Sequence, residues 1–228
     1  MKKKLTIIIT NYNNDKYISK CIRSISNQKK YFSKIDLIII DDCSNDNSLK
    51  IIKNFLKYKN IKLIKNNKNL GLVGSCNKAI IKSKTNYIIR VDSDDYVSKN
   101  FIKYFLKYIN KGYDFIFSNY KIVFRNKSKN KKIKKFNELI SCSVAFKKNI
   151  FLKVGGYRNF LWEEYDLYIR YFKKNKKVKK IENFLYYYRR HQKNMTNSKV
   201  WKNKAWKQLK NTHKNLNIEE LTKKIISK

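Results

Sequence analysis

The chain has no proline and only five glycines. The usual punctuation of loops is therefore nearly missing, and element boundaries rest on asparagine, the few glycines and hydrophobic periodicity. Acidic residues are also scarce: 16 against 55 lysines and arginines, a formal charge of +39. Only seven of those 55 are arginine. Nucleic-acid readers lean on arginine, whose fork matches bases and phosphates. Here lysine accompanies abundant Asn, Ile, Tyr and Phe, residues with A/T-rich codons, so no specific nucleic-acid partner is expected. The positive field still favours anionic substrates and membrane surfaces. Cys21, Cys43, Cys76 and Cys142 stand apart, with no C-x-x-C pair and no nearby histidine. That excludes a zinc site or a disulfide framework and fits a reducing compartment. No apolar run approaches the ~18 residues that span a bilayer. Residues 5–9 are too short for the ~7–15-residue core of a signal peptide. A cytoplasmic location is expected.

What is present is enough for a core. A hydrophobic fraction of 42% in 228 residues, 14% of the chain aromatic, supports one sizeable domain and excludes global disorder. Residues 4–10, 36–40, 61–64 and 86–91 read as strands. Between them lie helices with Ile18, Cys21, Ile22 and Ile25, then Ile51, Ile52, Phe55 and Leu56, on inward faces, and a third helix around residues 73–81. Ser98 is the expected N-cap of a fourth helix carrying Phe101, Ile102, Phe105, Leu106 and Ile109. With a strand at 113–117, the first half predicts an open, mostly parallel α/β sheet with helices on both faces. Beyond residue 118 the alternation weakens. Strands are expected at 120–124, 140–146 and 184–190, an exposed basic loop at 127–135, helices at 149–154 and 162–172, and a lysine-rich helical tail from 200.

Three strands end in polar clusters: Thr10-Asn11-Tyr12-Asn13, Asp41-Asp42 and Asp92-Ser93-Asp94-Asp95. Open α/β sheets bind ligands at the carboxyl ends of their strands. Asn and Asp there can bond a base and a ribose, and a tyrosine can stack. Neighbouring carboxylates repel, and a divalent cation with hard oxygen ligands, Mg²⁺ or Mn²⁺, would relieve that. Taken singly, each cluster is also an ordinary strand-to-helix turn rich in capping residues. The three in this order are harder to read that way.

The chain resembles the family 2 glycosyltransferases of the GT-A fold. The resemblance rests on T-N-Y-N (10–13), D-D-x-S-x-D-x-S (41–48), N-L-G-x₅-N (69–77), D-S-D-D (92–95), W-E-E-Y-D-L (162–167) and Y-R-R-H (188–191). It covers about residues 4–195 and implies a transferase domain at 1–195, with a nucleotide-sugar half to about 118, an acceptor half to 195, and a basic tail at 196–228. It implies that Thr10, Tyr12, Asn13, Asp42, Asn69, Gly71, Asn77, Asp92 and Ser93 hold a nucleotide-sugar, with Asp42 reading an imide edge such as uracil's. Asp94, with Asp92, would hold Mn²⁺ or Mg²⁺. The catalytic base falls on Glu164, supported by Glu163, Asp166 and His191; a buried structural role for His191 stays open. Thr10 stands where the family often has Pro, Ser75-Cys76 where Ala-Arg is common, and Glu164 where Asp is usual.

The implied activity is inverting transfer from a UDP-sugar to a glycan or lipid-linked acceptor in surface polysaccharide assembly. The rivals are a non-catalytic nucleotide-sugar-binding protein and a nucleic-acid-binding protein, neither of which needs the acids at 92–95 and 163–166. The start of the 162–172 helix is expected to lower the pKa of Glu164 through the helix dipole. Glu163→Gln is expected to be milder than Glu164→Gln. Trp201, Trp206, Leu209 and Leu216 among the tail lysines suit either an anionic membrane surface at the cytoplasmic face or packing on the domain.

Overall fold

A computed structural model describes residues 3–226 except 126, 193 and 195–197. Its first half is β1 (Leu5–Asn11), α1 (Asp15–Ser26), α2 (Lys29–Phe32), β2 (Ile35–Asp41), α3 (Ser48–Lys53), β3 (Ile61–Lys65), α4 (Gly71–Lys82) and β4 (Tyr87–Asp92). Then come β5 (Tyr96–Val97), α5 (Phe101–Asn110), β6 (Phe115–Phe124), β7 (Lys127–Lys131), β8 (Val144–Lys147) and α6 (Lys148–Lys153). The chain continues through α7 (Glu163–Tyr171), β9 (Val178–Arg189), α8 (Lys199–Thr212) and α9 (Ile218–Ile225).

Among the described residues the strands form one sheet in the order β3-β2-β1-β4-β8-β6-β9-β5, with β7 paired to β6. The first four strands are parallel. They are apolar without alternation because both faces are covered: every residue of β1 is buried. α1 packs against α3, and α4 packs on β1 and β2; the right-handed crossover rule places α1 and α3 on one face and α4 on the other. α1 buries Ile18, Cys21, Ile22 and Ile25 as its periodicity requires.

The second half departs from the sequence reading in physically informative ways. The strands expected at 113–117 and 120–124 are one strand, β6, with an irregularity at Ser118–Tyr120 where it pairs with β9. β6 does not join the parallel set directly; antiparallel β8 lies between it and β4. The basic loop is partly a strand, β7, folded back on β6 as an exposed edge rich in lysine, which discourages edge-to-edge association. The stretch 140–146 is strand only from Val144, after a 3-10 turn at Ser141–Ser143. β9 starts six residues before 184.

Two helix boundaries also differ. α3 ends at Lys53, leaving Leu56 40% exposed rather than on an inner face. α5 starts after Asn100, not after Ser98. Its Ile102 N–H is capped by the buried Gln28 Oε1 at 2.9 Å, from a distant part of the chain. Local spacing cannot reveal such a cap.

The tail packs on the domain. Ala205, Leu209 and Ile225 are buried. Trp206 lies 4.9 Å from Trp162 and stacks 6.0 Å from Tyr165. Gln208 Oε1 accepts the Leu161 N–H at 2.9 Å. Ala205, Trp206 and Leu209 thus pack on the domain, as one of the two readings of the tail expected.

Under this contact sits Asp166, fully buried. It accepts from Arg158 and from Arg170 Nε and Nη2 (3.0 and 2.6 Å), and lies 3.0 Å from His213 Nε2 of the tail. Burial alone would raise its pKa, but these bonds hold the carboxyl below its ordinary value. Asp166→Ala would leave Arg170 buried without its carboxylate, a loss of about 3–5 kcal/mol. We expect melting to fall by on the order of 10 °C. A drop under 2 °C in a thermal melt would show that the cluster is not holding the tail to the domain.

Candidate active site

The carboxyl ends of β1, β2 and β4 open into a cleft of about 670 Å³, closed on its other side by residues 137–142, the start of α7 and the start of α8. Thr10, Tyr12, Asp42, Asn69, Gly71, Asp92, Ser93, Asp94, Glu163 and Glu164 all line it. Tyr12 is 48% exposed, available for stacking. Asp42 is buried and accepts from Asn66 Nδ2 and Leu70 N, both at 2.8 Å and both on Oδ1. Asn69 Oδ1 accepts the Gly71 N–H at 2.9 Å. Gly71 has φ +71°, a left-handed conformation that suits glycine at the mouth of α4. Ser93 Oγ bonds Asn14 Nδ2 at 2.9 Å, joining the turns after β1 and β4.

Four residues expected in the site do not line it; one of them, His191, instead contacts Asp94, which does. Asn13 braces the turn after β2: its N–H donates to Ser44 Oγ and its Oδ1 accepts from Asn45 N. Asn77 pairs with both backbone groups of Tyr157, at 2.8 and 3.1 Å, fixing α4 to the turn after α6. Asp166 belongs to the arginine and histidine cluster described above.

Asp92, Asp94 and Asp95 each offer an oxygen within a 4.8 Å group. Asp95 is fully buried, with Oδ2 taken by Tyr186 OH and Oδ1 by Arg189 N, both at 2.6 Å. Burial, then Asp94 and Asp92, push its carboxyl well up. Burial and Asp92 also raise Asp94, which His191 partly offsets through an Nε2–Oδ2 contact of 2.8 Å. Asp92 Oδ1 is buried without an aligned hydrogen bond, although Arg90 Nε lies 3.1 Å away. Hard oxygen donors, mutually repelling carboxylates and a buried oxygen lacking an aligned bond fit a divalent cation on Asp92 and Asp94.

Sequence reasoning missed what links these acids to α7. Arg90, two residues before Asp92, is buried and donates from Nη1 to Glu163 Oε1 at 2.7 Å. Cys142 donates its thiol to Asp92 Oδ2 at 2.8 Å. Burial pushes that thiol's pKa up, so it stays a donor. One signal did exist for Arg90: an arginine inside an apolar strand needs a buried partner. Nothing local announced Cys142. Arg190, Trp201 and Lys202 also line the cleft.

Glu164 does not behave as its helix position suggested. Burial, then the Glu163 charge, raise its pKa to about 8, with Arg90 pulling the other way. These outweigh the partial charge of the helix start. Glu163 is the partner of the buried Arg90.

The profile described as glycosyl transferase family 2 matches residues 6–190. The chain is 31% identical over 101 residues to poly(ribitol-phosphate) beta-N-acetylglucosaminyltransferase TarS of Staphylococcus aureus, covering 44% of this chain and 18% of that protein. It is 40% identical over 96 residues to the poly(ribitol-phosphate) beta-glucosyltransferase of Bacillus spizizenii, covering 41% and 15%. The match thus spans less than a fifth of either curated relative. Among solved structures, S. aureus TarS 1–349 in complex with UDP-GlcNAc has a TM-score of 0.73 at 19% identity, over 86% of this chain and 61% of that one. Mannosyltransferase PcManGT from Pyrobaculum calidifontis, in complex with GDP-Man and Mn²⁺, has a TM-score of 0.76 at 11% identity, over 98% and 68%. At these identities the structures show a shared GT-A fold.

The raised Glu164 has a stability consequence. A carboxyl whose folded pKa lies above its unfolded value stabilises fully below about pH 4.5, and that contribution is lost as pH rises through about 8. Glu164→Gln removes the loss. In urea melts its stability gain over the parent should grow from pH 5.5 to 8.5, by on the order of 3 kcal/mol. An unchanged difference across that range would mean that Glu164 titrates normally.

Proposed function

Because the chain belongs to glycosyl transferase family 2, we propose that it transfers a sugar from a UDP-sugar to a hydroxyl of a glycan or lipid-linked acceptor, with inversion, in surface polysaccharide assembly. The observation that carries this reading is that Glu164 lines the same cleft as Asp42, Asp92 and Asp94. On this reading Tyr12 stacks on the base and Asp42 accepts from its imide N–H. Ser93 and Asp92 meet the ribose side, and Asn69 and Gly71 border the nucleotide. Asp92 and Asp94 would hold a divalent cation, which supplies Lewis-acid stabilisation of a departing diphosphate. His191 holds Asp94 through its Nε2–Oδ2 contact.

Glu164 takes the acceptor proton. A carboxyl raised to about 8 is a stronger base than an ordinary glutamate and is poised near working pH. Neighbouring Glu163 is paired with Arg90, so the two acids have separate roles. The names of the relatives support the UDP-sugar donor and the cell-surface setting. Docking at an anionic membrane, on the same reading, falls to the exposed Lys204, Lys207 and Lys210, since Leu209 and Trp206 face the domain.

Asp94→Ala should keep the fold but abolish the Mn²⁺-dependent rise in melting temperature given by UDP; an undiminished rise would remove Asp94 from the cation site. Glu164→Gln should keep that rise yet lower transfer by about 10²–10⁴-fold, and parent transfer should climb between pH 7 and 8.5. Parent-rate transfer by Glu164→Gln would place the base elsewhere.

A further inference from the structure

The lining of the cleft is divided by origin. The strand ends supply polar groups, whereas the other wall carries Leu139, Leu161, Trp162, Tyr165 and, from the first turn of α8, Trp201. Trp201 is only half-buried and meets Trp162 edge to face, 5.6 Å between centroids. The helix does not depend on it for anchoring: Ala205 and Leu209 form its buried face, while Gln208 and His213 tie it to Leu161 and Asp166. An anchored helix therefore presents an indole to a ligand cleft, on the side where Glu164 lies. A sugar ring has an apolar C–H face and a rim of hydroxyls, which suits a rigid aromatic face with polar groups nearby.

Resting on the transferase reading above, we infer that the C-terminal helix α8 completes the acceptor subsite, with Trp201 as the platform for a saccharide ring of the acceptor. The tail is thereby part of the reaction centre's wall and sets which sugar can approach Glu164. Trp162 supports the platform, and Lys202 beside it also lines the cleft.

The test uses the full chain loaded with UDP and Mn²⁺. Saturation-transfer NMR titrations with chitotriose and cellotriose compare the parent, Trp201→Ala and Trp201→Phe. At least one trisaccharide should bind the parent. Trp201→Ala should weaken that binding about tenfold, and Trp201→Phe should restore it to within about threefold of the parent. The UDP-dependent melting shift, recorded for all three proteins, reports the donor side and the fold independently. Loss of that shift in the parent sinks the donor reading while leaving the saccharide result standing. Equal saccharide affinity in the parent and Trp201→Ala overturns the subsite, as does the failure of both trisaccharides to bind the parent.

Discussion

The arrangement of the cleft depends on one buried cation. Arg90 sits on the central strand with Asp92 on one side and Glu163 on the other, at 3.1 and 2.7 Å. It thus ties the strand whose end carries the acids to the helix that carries Glu164. Burying a guanidinium is costly unless its partners are charged and close, so the strand and the helix are held in one relative placement. Without Arg90, Asp92, Glu163 and Glu164 would share a poorly solvated space and repel. With it, Glu163 is paired with a guanidinium, while burial and the Glu163 charge raise the pKa of Glu164.

A chain with 48 lysines and seven arginines nevertheless builds its interior ion pairs from arginine. Arg90 and Arg170 are buried, and Arg158 joins Arg170 on Asp166. A planar fork satisfies two acceptors at once and is less strongly hydrated than an ammonium, so it survives burial better. The lysines stay outside, on β7 and on the outer face of α8. The large net charge is therefore a surface property, and the chemistry of the cleft is set by a handful of acids, arginines and one histidine.

The two clusters are mechanically connected. Asp166 and Glu164 lie on the same short helix, one facing the Arg158, Arg170 and His213 group and the other facing the cleft. α7 is fastened from behind by the tail and from in front by Arg90, which leaves little freedom for Glu164. That accounts for a tail helix having a role in the cleft although the family profile stops at residue 190.

By itself the sequence determined the parallel strands, because strands covered on both faces need unbroken apolar runs. It also determined the polar clusters at their ends, because those residues are contiguous. Tertiary structure decided everything that depends on distant partners. Asn77 and Asp166 sit inside motifs yet face structural partners, since a motif gives spacing but not the direction of a side chain. Gln28 caps a helix 74 residues away, and Cys142 meets Asp92 across 50. The pKa of Glu164 was misjudged from its helix position because burial and a neighbouring charge, both set by packing, exceed a local dipole. That Trp206 packs on Trp162 while Trp201 lines the cleft depends on how the tail docks, which no local pattern gives.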